Sequence, residues 1–217
     1  MKGGKDMGVH EGRLYVYQLL KHLFEQPLNR EGLIELQEQP GLKELAQISS
    51  GAQSINDFLV ANKDEYPETL CQALQAEYQR LFVGPGQVLV PIWESVYFDP
   101  EHLMFGERTL AVREFYRKYH LESIHKNRQP EDHLAVELEF MTYLIGQYLA
   151  SEDDVQQTKL LRDQKEFIQK HLATWKDEFL QFLEKSTGCL LYRGGGQLLK
   201  EFLDMECEMF EHLEEVS

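Results

Sequence analysis

The chain has 217 residues, 42% of them hydrophobic and 11% aromatic, enough to build a sizeable core and to exclude intrinsic disorder over most of its length. Its 22 Lys and Arg stand against 37 Asp and Glu, and the formal charge of −15 argues against nucleic acid and anionic lipid as partners and favours a cationic one. The same balance also serves simply to keep a helical surface solvated.

The first residues, MKGGKDMGVHEGR, lack the apolar stretch of an export signal. Leu14, Tyr17, Leu20 and Phe24 then fall on one face of a first helix, which Pro27 ends. Asn29 is placed to cap a second helix carrying Leu33, Ile34 and Leu36 up to Pro40-Gly41. Two short helices follow, near Leu42–Ile48 and Ile55–Ala61. Pro67 suits the first turn of the next, in which Leu70, Leu74, Tyr78, Leu81 and Phe82 align until Gly84-Pro85-Gly86 stops it. Residues 83–100 hold Gly84, Pro85, Gly86 and Pro91, followed by a dense group of large side chains, and are expected to form an ordered aromatic loop. A helix is expected from about Gly106 to His120, then a second loop leading to Pro130. The longest amphipathic stretch carries Leu134, Leu138, Met141, Ile145 and Leu149. Glu152, Asp153 and Asp154 mark the next helix start, where acid favours the positive end of the dipole. Leu172, Trp175, Phe179 and Phe182 mark a further helix. Gly194-Gly195-Gly196 is expected as a flexible break before the last one. The sum is an all-α protein of about ten helices, with an N-terminal half at 1–120, a hinge loop at 121–130 and a C-terminal half at 131–217. No apolar run approaches the roughly 20 residues that span a bilayer. Cys71, Cys189 and Cys207 are far apart, which points to a reducing compartment without disulfides or structural zinc. A cytoplasmic protein without stable membrane insertion is expected.

Three segments concentrate unusual residues: Glu77 to Gly86, Pro91 to Tyr97, and Gln129 to Leu134. In the third, Pro130 fixes φ for a first helical turn, so Glu131 and Asp132 are expected beside that turn's unpaired N–H groups. His133 falls one turn from Glu137, within reach of an imidazole–carboxylate pair. Two readings stay open: a receptacle for an Arg or Lys, or a well-made helix start with a solvated histidine. The aromatic loop is equally open, either covering core or forming a stiff wall for a docked peptide. Catalysis is not expected. No His-x-x-x-His pair exists, and Asp132-His133 offers too few ligands for a metal. Ser95 lacks the flanking glycines of a nucleophile elbow, and the Gly triplet lacks the Lys-Ser/Thr of a phosphate loop. A helical metal-dependent hydrolase using His133, Asp132 and Glu137 is the alternative from that class.

The segments resemble the TorD/DmsD family of chaperones for molybdenum-containing redox enzymes. Its pattern Glu-Tyr-x-x-Leu-Phe-x-Gly-Pro stands here as Glu77-Tyr78, Leu81-Phe82 and Gly84-Pro85. Pro91, Ser95 and Tyr97 match Pro-x-x-x-Ser-x-Tyr, and Pro130 with Asp132-His133 matches Glu-Pro-x-Asp-His, except that Gln129 replaces the Glu. Phe105 to Leu110, His171 and Trp175 also fall where members carry similar residues. The resemblance is strong over about 70–183. It implies two helical halves joined by a hinge, no catalytic residue, no metal and no cofactor. It also implies binding of the twin-arginine signal peptide of an apo molybdoenzyme, delaying export until its cofactor is inserted. The peptide-binding roles it transfers fall on Leu81, Phe82, Pro85, Trp93, Ser95, Tyr97, Pro130, Asp132 and His133, with Leu81 and Phe82 also candidates for the core. The alternative within the family is action on the folded catalytic subunit or on the cofactor-insertion machinery. The Gly triplet and the 121–130 loop are candidate joints for a domain-swapped dimer, so either a monomer or such a dimer is compatible.

Overall fold

The computed structural model describes residues 3–62, 68–86, 88–99, 104–122 and 130–215, and these are helical almost throughout. In chain order the helices are α1 (Gly3–Glu25), α2 (Arg30–Glu38), α3 (Pro40–Leu45), α4 (Ser50–Ala61), α5 (Glu68–Tyr78), α6 (Ser95–Phe98), α7 (Glu107–Lys118), α8 (Leu134–Ala150), α9 (Asp154–Phe167), α10 (Ala173–Ser186) and α11 (Leu190–Glu215). No strand occurs among the described residues, whose one isolated bridge joins Trp93 and His133. The all-α architecture is as expected. Among these residues no helix is long and apolar enough to cross a membrane.

Local signals place several boundaries. Asn29 caps α2 by accepting from the Gly32 N–H at 2.9 Å, and Asp153 caps α9 by accepting from Val155 N–H at 2.9 Å. Pro40 sits in the first turn of α3, so the Pro40-Gly41 pair starts a helix as well as ending one. Leu81 and Phe82 lie in a π-helical turn, Gln79–Val83, that extends α5 until Gly84, at φ 102°, ends it. Pro67, expected in a first helical turn, and residues 123–129 of the expected hinge lie outside the described residues.

The chain forms two compact units. One comprises 1–21, 93–175 and 203–217; the other comprises 22–92 and 176–202. Each draws on both 1–120 and 131–217. In the first unit, α8 packs on α9, and Phe115, Tyr116, Phe140 and Phe167 form an aromatic core. That unit also encloses an ion pair: Arg13 forks onto both oxygens of Glu206 at 2.6 and 2.7 Å, and Tyr17 donates to the same carboxylate at 2.9 Å. In the second unit, Phe82 meets Phe24, Tyr78 and Tyr192 edge-on, with centroids 6.0, 4.9 and 5.6 Å apart. Leu81 and Phe82 are therefore core residues of this unit.

Two expected breaks are absent. Between α9 and α10 the helix does not stop; Ile168–Leu172 forms a π turn that carries the backbone through. Gly194-Gly195-Gly196 lies inside α11, so it is neither a break nor a joint. Its glycines serve close approach. A Cβ on Gly194 would come within 2.8 Å of the Gly51 carbonyl oxygen, and one on Gly51 would overlap the backbone at Leu198. Helix propensity argues against three consecutive glycines in a helix, but the tight α4–α11 approach requires them.

This gives paired predictions for thermal unfolding. Gly51→Ala must push two backbones apart and is expected to lose about 2–3 kcal/mol. Gly146→Ala, in α8 with open space around its Cα, is expected to gain roughly 1 kcal/mol from propensity alone.

Candidate functional site

The six residues Trp93–Phe98 and the four before α8, Pro130–His133, are built into one another within the first unit. The helix begins later than Pro130 suggests. His133, extended at φ −72° and ψ 133°, is the N-cap of α8, so Glu131 and Asp132 precede the first turn. The reason is that a ring nitrogen can do the capping: His133 Nδ1 accepts from the Ala135 N–H at 3.1 Å. The His133–Glu137 pair considered from spacing does not form: Nδ1 is committed to the cap, and no hydrogen bond joins the ring to Glu137.

Asp132 is fully buried and satisfied internally. Its Oδ2 accepts from the Ser95 N–H at 2.7 Å, its Oδ1 from the Thr109 hydroxyl at 2.7 Å, and its backbone carbonyl accepts from Glu94 N–H at 3.0 Å. One carboxylate thus ties α6, α7 and the approach to α8 together. Glu131 is likewise engaged: Arg113 forks onto it at 2.8 and 2.9 Å, and the Tyr116 hydroxyl donates to its carbonyl at 3.1 Å. Pro130 is buried. The carboxylates at this helix start are therefore framework groups, not an open acidic pocket.

The aromatic side of the site is partly open. Trp93 stands edge-on to His133, centroids 5.5 Å apart, and Tyr97 leans on Trp175 at 5.0 Å. Trp93 and Tyr97 are half-buried and Phe98 is exposed. The Arg108 guanidinium lies 3.7 Å over the Phe98 ring while donating to Glu94 at 3.2 Å and to the Lys170 carbonyl at 2.8 Å. Two donors here, the Trp93 indole N–H and the Ser95 hydroxyl, have no acceptor among the described residues. Of the sites expected in the second unit, Leu81 and Phe82 are buried and Pro85 is exposed.

Sequence reasoning missed the buried cluster behind this face. His171 Nδ1 meets Glu94 Oε2 at 2.8 Å, and both side chains are sealed from solvent. Glu137, also sealed, joins them; burial first and the Glu94 carboxylate next raise its pKa well above the usual range. The partners are 77 residues apart, and spacing carries no signal for such a pairing. Burial also depresses His133, to about 4.

Comparison with known proteins places this geometry in a family. The sequence model described as "Nitrate reductase delta subunit" matches residues 43–181. A Salmonella typhimurium protein named Tat proofreading chaperone DmsD is 30% identical over 155 residues, 71% of this chain and 69% of that protein. A Haemophilus influenzae protein named probable Tat proofreading chaperone DmsD is 35% identical over 116 residues, 54% of this chain and about half, 51%, of its own length. A Vibrio cholerae protein named chaperone protein TorD is 24% identical across 94% of both chains.

Two predictions follow from the helix start. Because folding lowers the His133 pKa, the native state binds fewer protons than the unfolded chain between about pH 6.5 and 4. Its stabilisation is complete above that window and drains as pH falls through it, by roughly 3 kcal/mol, and His133→Asn, which keeps a capping oxygen, is expected to flatten this limb in urea melts taken across pH. Asp132→Ala orphans the Ser95 N–H and the Thr109 hydroxyl and is expected to lose about 2–4 kcal/mol at neutral pH, whereas Thr109→Val, which removes only one bond, costs about half as much.

Proposed function

Because the chain belongs to the nitrate reductase delta subunit family, alongside the DmsD and TorD chaperones, we propose that it is a cytoplasmic chaperone for a molybdoenzyme. It binds the twin-arginine signal peptide of the apo enzyme and holds the enzyme back from export until the cofactor is in place. The observation that carries the reading is the pair of unsatisfied donors beside a half-open aromatic wall: Trp93 Nε1–H and Ser95 Oγ–H. An extended peptide supplies backbone carbonyls, and a slight opening of the Trp93 edge brings one within reach of these donors. Trp93, Tyr97 and Phe98 offer apolar area to the leader's greasy segment.

The roles divide accordingly. Trp93 and Tyr97 contact the peptide, and Ser95 donates to it. Pro130, Asp132 and His133 hold the segment bearing those side chains in register, so little entropy is lost on binding. Leu81 and Phe82 act through the core of the second unit, while exposed Pro85 remains available for contact. The arginine pair is drawn by the overall charge of −15 and not by Asp132, whose oxygens are engaged.

Isothermal titration of the full chain with a twin-arginine leader peptide tests this. Saturable heat at micromolar protein is expected, weakened several-fold on raising salt from 50 to 500 mM, since the steering charges are exposed. Trp93→Phe, which removes the donor and trims the ring while keeping an aromatic side chain, is expected to weaken binding about fivefold, and Trp93→Ala more than tenfold, both with native helicity. Absence of heat with wild-type protein overturns the proposal.

A further inference from the structure

Behind the peptide face, three sealed side chains from distant parts of the chain converge. Glu94 precedes α6, Glu137 lies in the first turn of α8, and His171 sits in the π turn between α9 and α10. One donor atom of each lies within 4.8 Å of the other two. Glu94 and Glu137 are 0% exposed and His171 is 2% exposed. Such a group is unusual on electrostatic grounds. Two carboxylates facing each other away from water repel strongly unless something positive stands between them. Arg108 reaches Glu94 at Oε1, and neither oxygen of Glu137 has a partner of good hydrogen-bond geometry among the described residues, the Trp175 indole and the Glu94 carboxylate being its polar neighbours. A buried carboxylate aimed into such a group is suited to ligate a cation.

We propose that Glu94, Glu137 and His171 bind one divalent first-row transition ion, zinc being the best fit to one imidazole nitrogen and two carboxylate oxygens. The donor set suits that class: imidazole favours such ions over magnesium and calcium, which take oxygen alone. Around a tetrahedral zinc with bonds near 2.1 Å, ligand atoms stand about 3.4 Å apart, so the three side chains need close by only about an ångström. The second shell is present as well, since Arg108 holds Glu94 from the side away from His171. A route in also exists. An open cavity of about 560 Å³, lined by Arg108, Phe115, Lys170 and His171 among others, has His171 in its wall. The π turn fits this role, because the widened helix turns His171 inward, and such turns recur at functional sites. The ion clamps α6, α8 and the π turn together directly behind Trp93 and Tyr97. This inference stands independently of peptide binding.

The test uses the full chain, stripped with chelator and dialysed against zinc. Retention of about one zinc per chain by plasma mass spectrometry is expected, with a raised melting temperature. Cobalt in its place should give visible bands of four- or five-coordinate intensity. Glu137→Gln, of the same shape, is expected to lower occupancy at least tenfold and to abolish the melting shift while keeping the chelated melting temperature of wild type. Exposed Glu35→Gln should behave as wild type. Should Glu137→Gln fail to fold, His171→Gln replaces it, and cobalt absorption of the wild-type chain still reports an imidazole ligand through its X-ray absorption spectrum. Substoichiometric zinc in the wild-type chain overturns the proposal and leaves a proton shared between the carboxylates as the balancing charge. Stoichiometric binding undiminished by Glu137→Gln overturns it too, by placing the ion elsewhere.

Discussion

The arrangement of the first unit depends on one buried carboxylate. Asp132 accepts hydrogen bonds from the backbone of α6 and the side chain of α7 while its own carbonyl receives Glu94 N–H. A carboxylate removed from water is tolerated only when its lone pairs are occupied, and a carboxylate so occupied fixes every group that occupies it. The direction in which Trp93 and Tyr97 present their rings is thus set by an oxygen that no ligand touches. Arg113 on Glu131 and the His133 cap extend the same frame on either side. Thr109 supplies the link to α7 and brings Arg108 beside Glu94, so the visible face and the sealed cluster share one scaffold.

What was legible in the sequence was what is decided locally. Asn29 and Asp153 cap helices because a short polar side chain reaches an N–H two or three residues on, whatever the rest of the chain does. Gly84 ends its helix for an equally local reason, its positive φ. Two of the failures are long-range. Three glycines in α11 look like a break until Gly51 is known to lie against them. Glu94 and His171 are unremarkable until the fold closes 77 residues between them. His133 and Glu137 had the right spacing to pair, yet a spacing rule cannot know that the imidazole nitrogen is already engaged by Ala135. The motif positions themselves were legible through family resemblance, and their division into framework and contact residues was not, since that division depends on burial.

Burial also alters the meaning of the net charge. Glu94, Glu131, Asp132, Glu137 and Glu206 are all sealed, and Glu94, Glu131, Asp132 and Glu206 are answered by a cation or by hydrogen-bond donors. These acids organise the interior and contribute little field at the surface. The exposed remainder still outnumbers the bases. Attraction of a cationic partner is then a diffuse, salt-sensitive property of the whole surface, whereas the geometry of recognition is local and rigid. The two are separable because they reside in different residues.

A carboxylate-rich interior suits the peptide-binding role proposed above. A leader peptide is disordered before binding and loses conformational freedom on docking; a receptor that also had to order itself would bind more weakly. An apolar interior holds elements together but leaves their register adjustable by side-chain repacking. Directional bonds such as Asp132 to Ser95 N–H admit one register only. The cost is a set of buried charges, each needing a partner. The same demand for fixed geometry that holds the aromatic face in place also gathers Glu94, Glu137 and His171 out of water behind it.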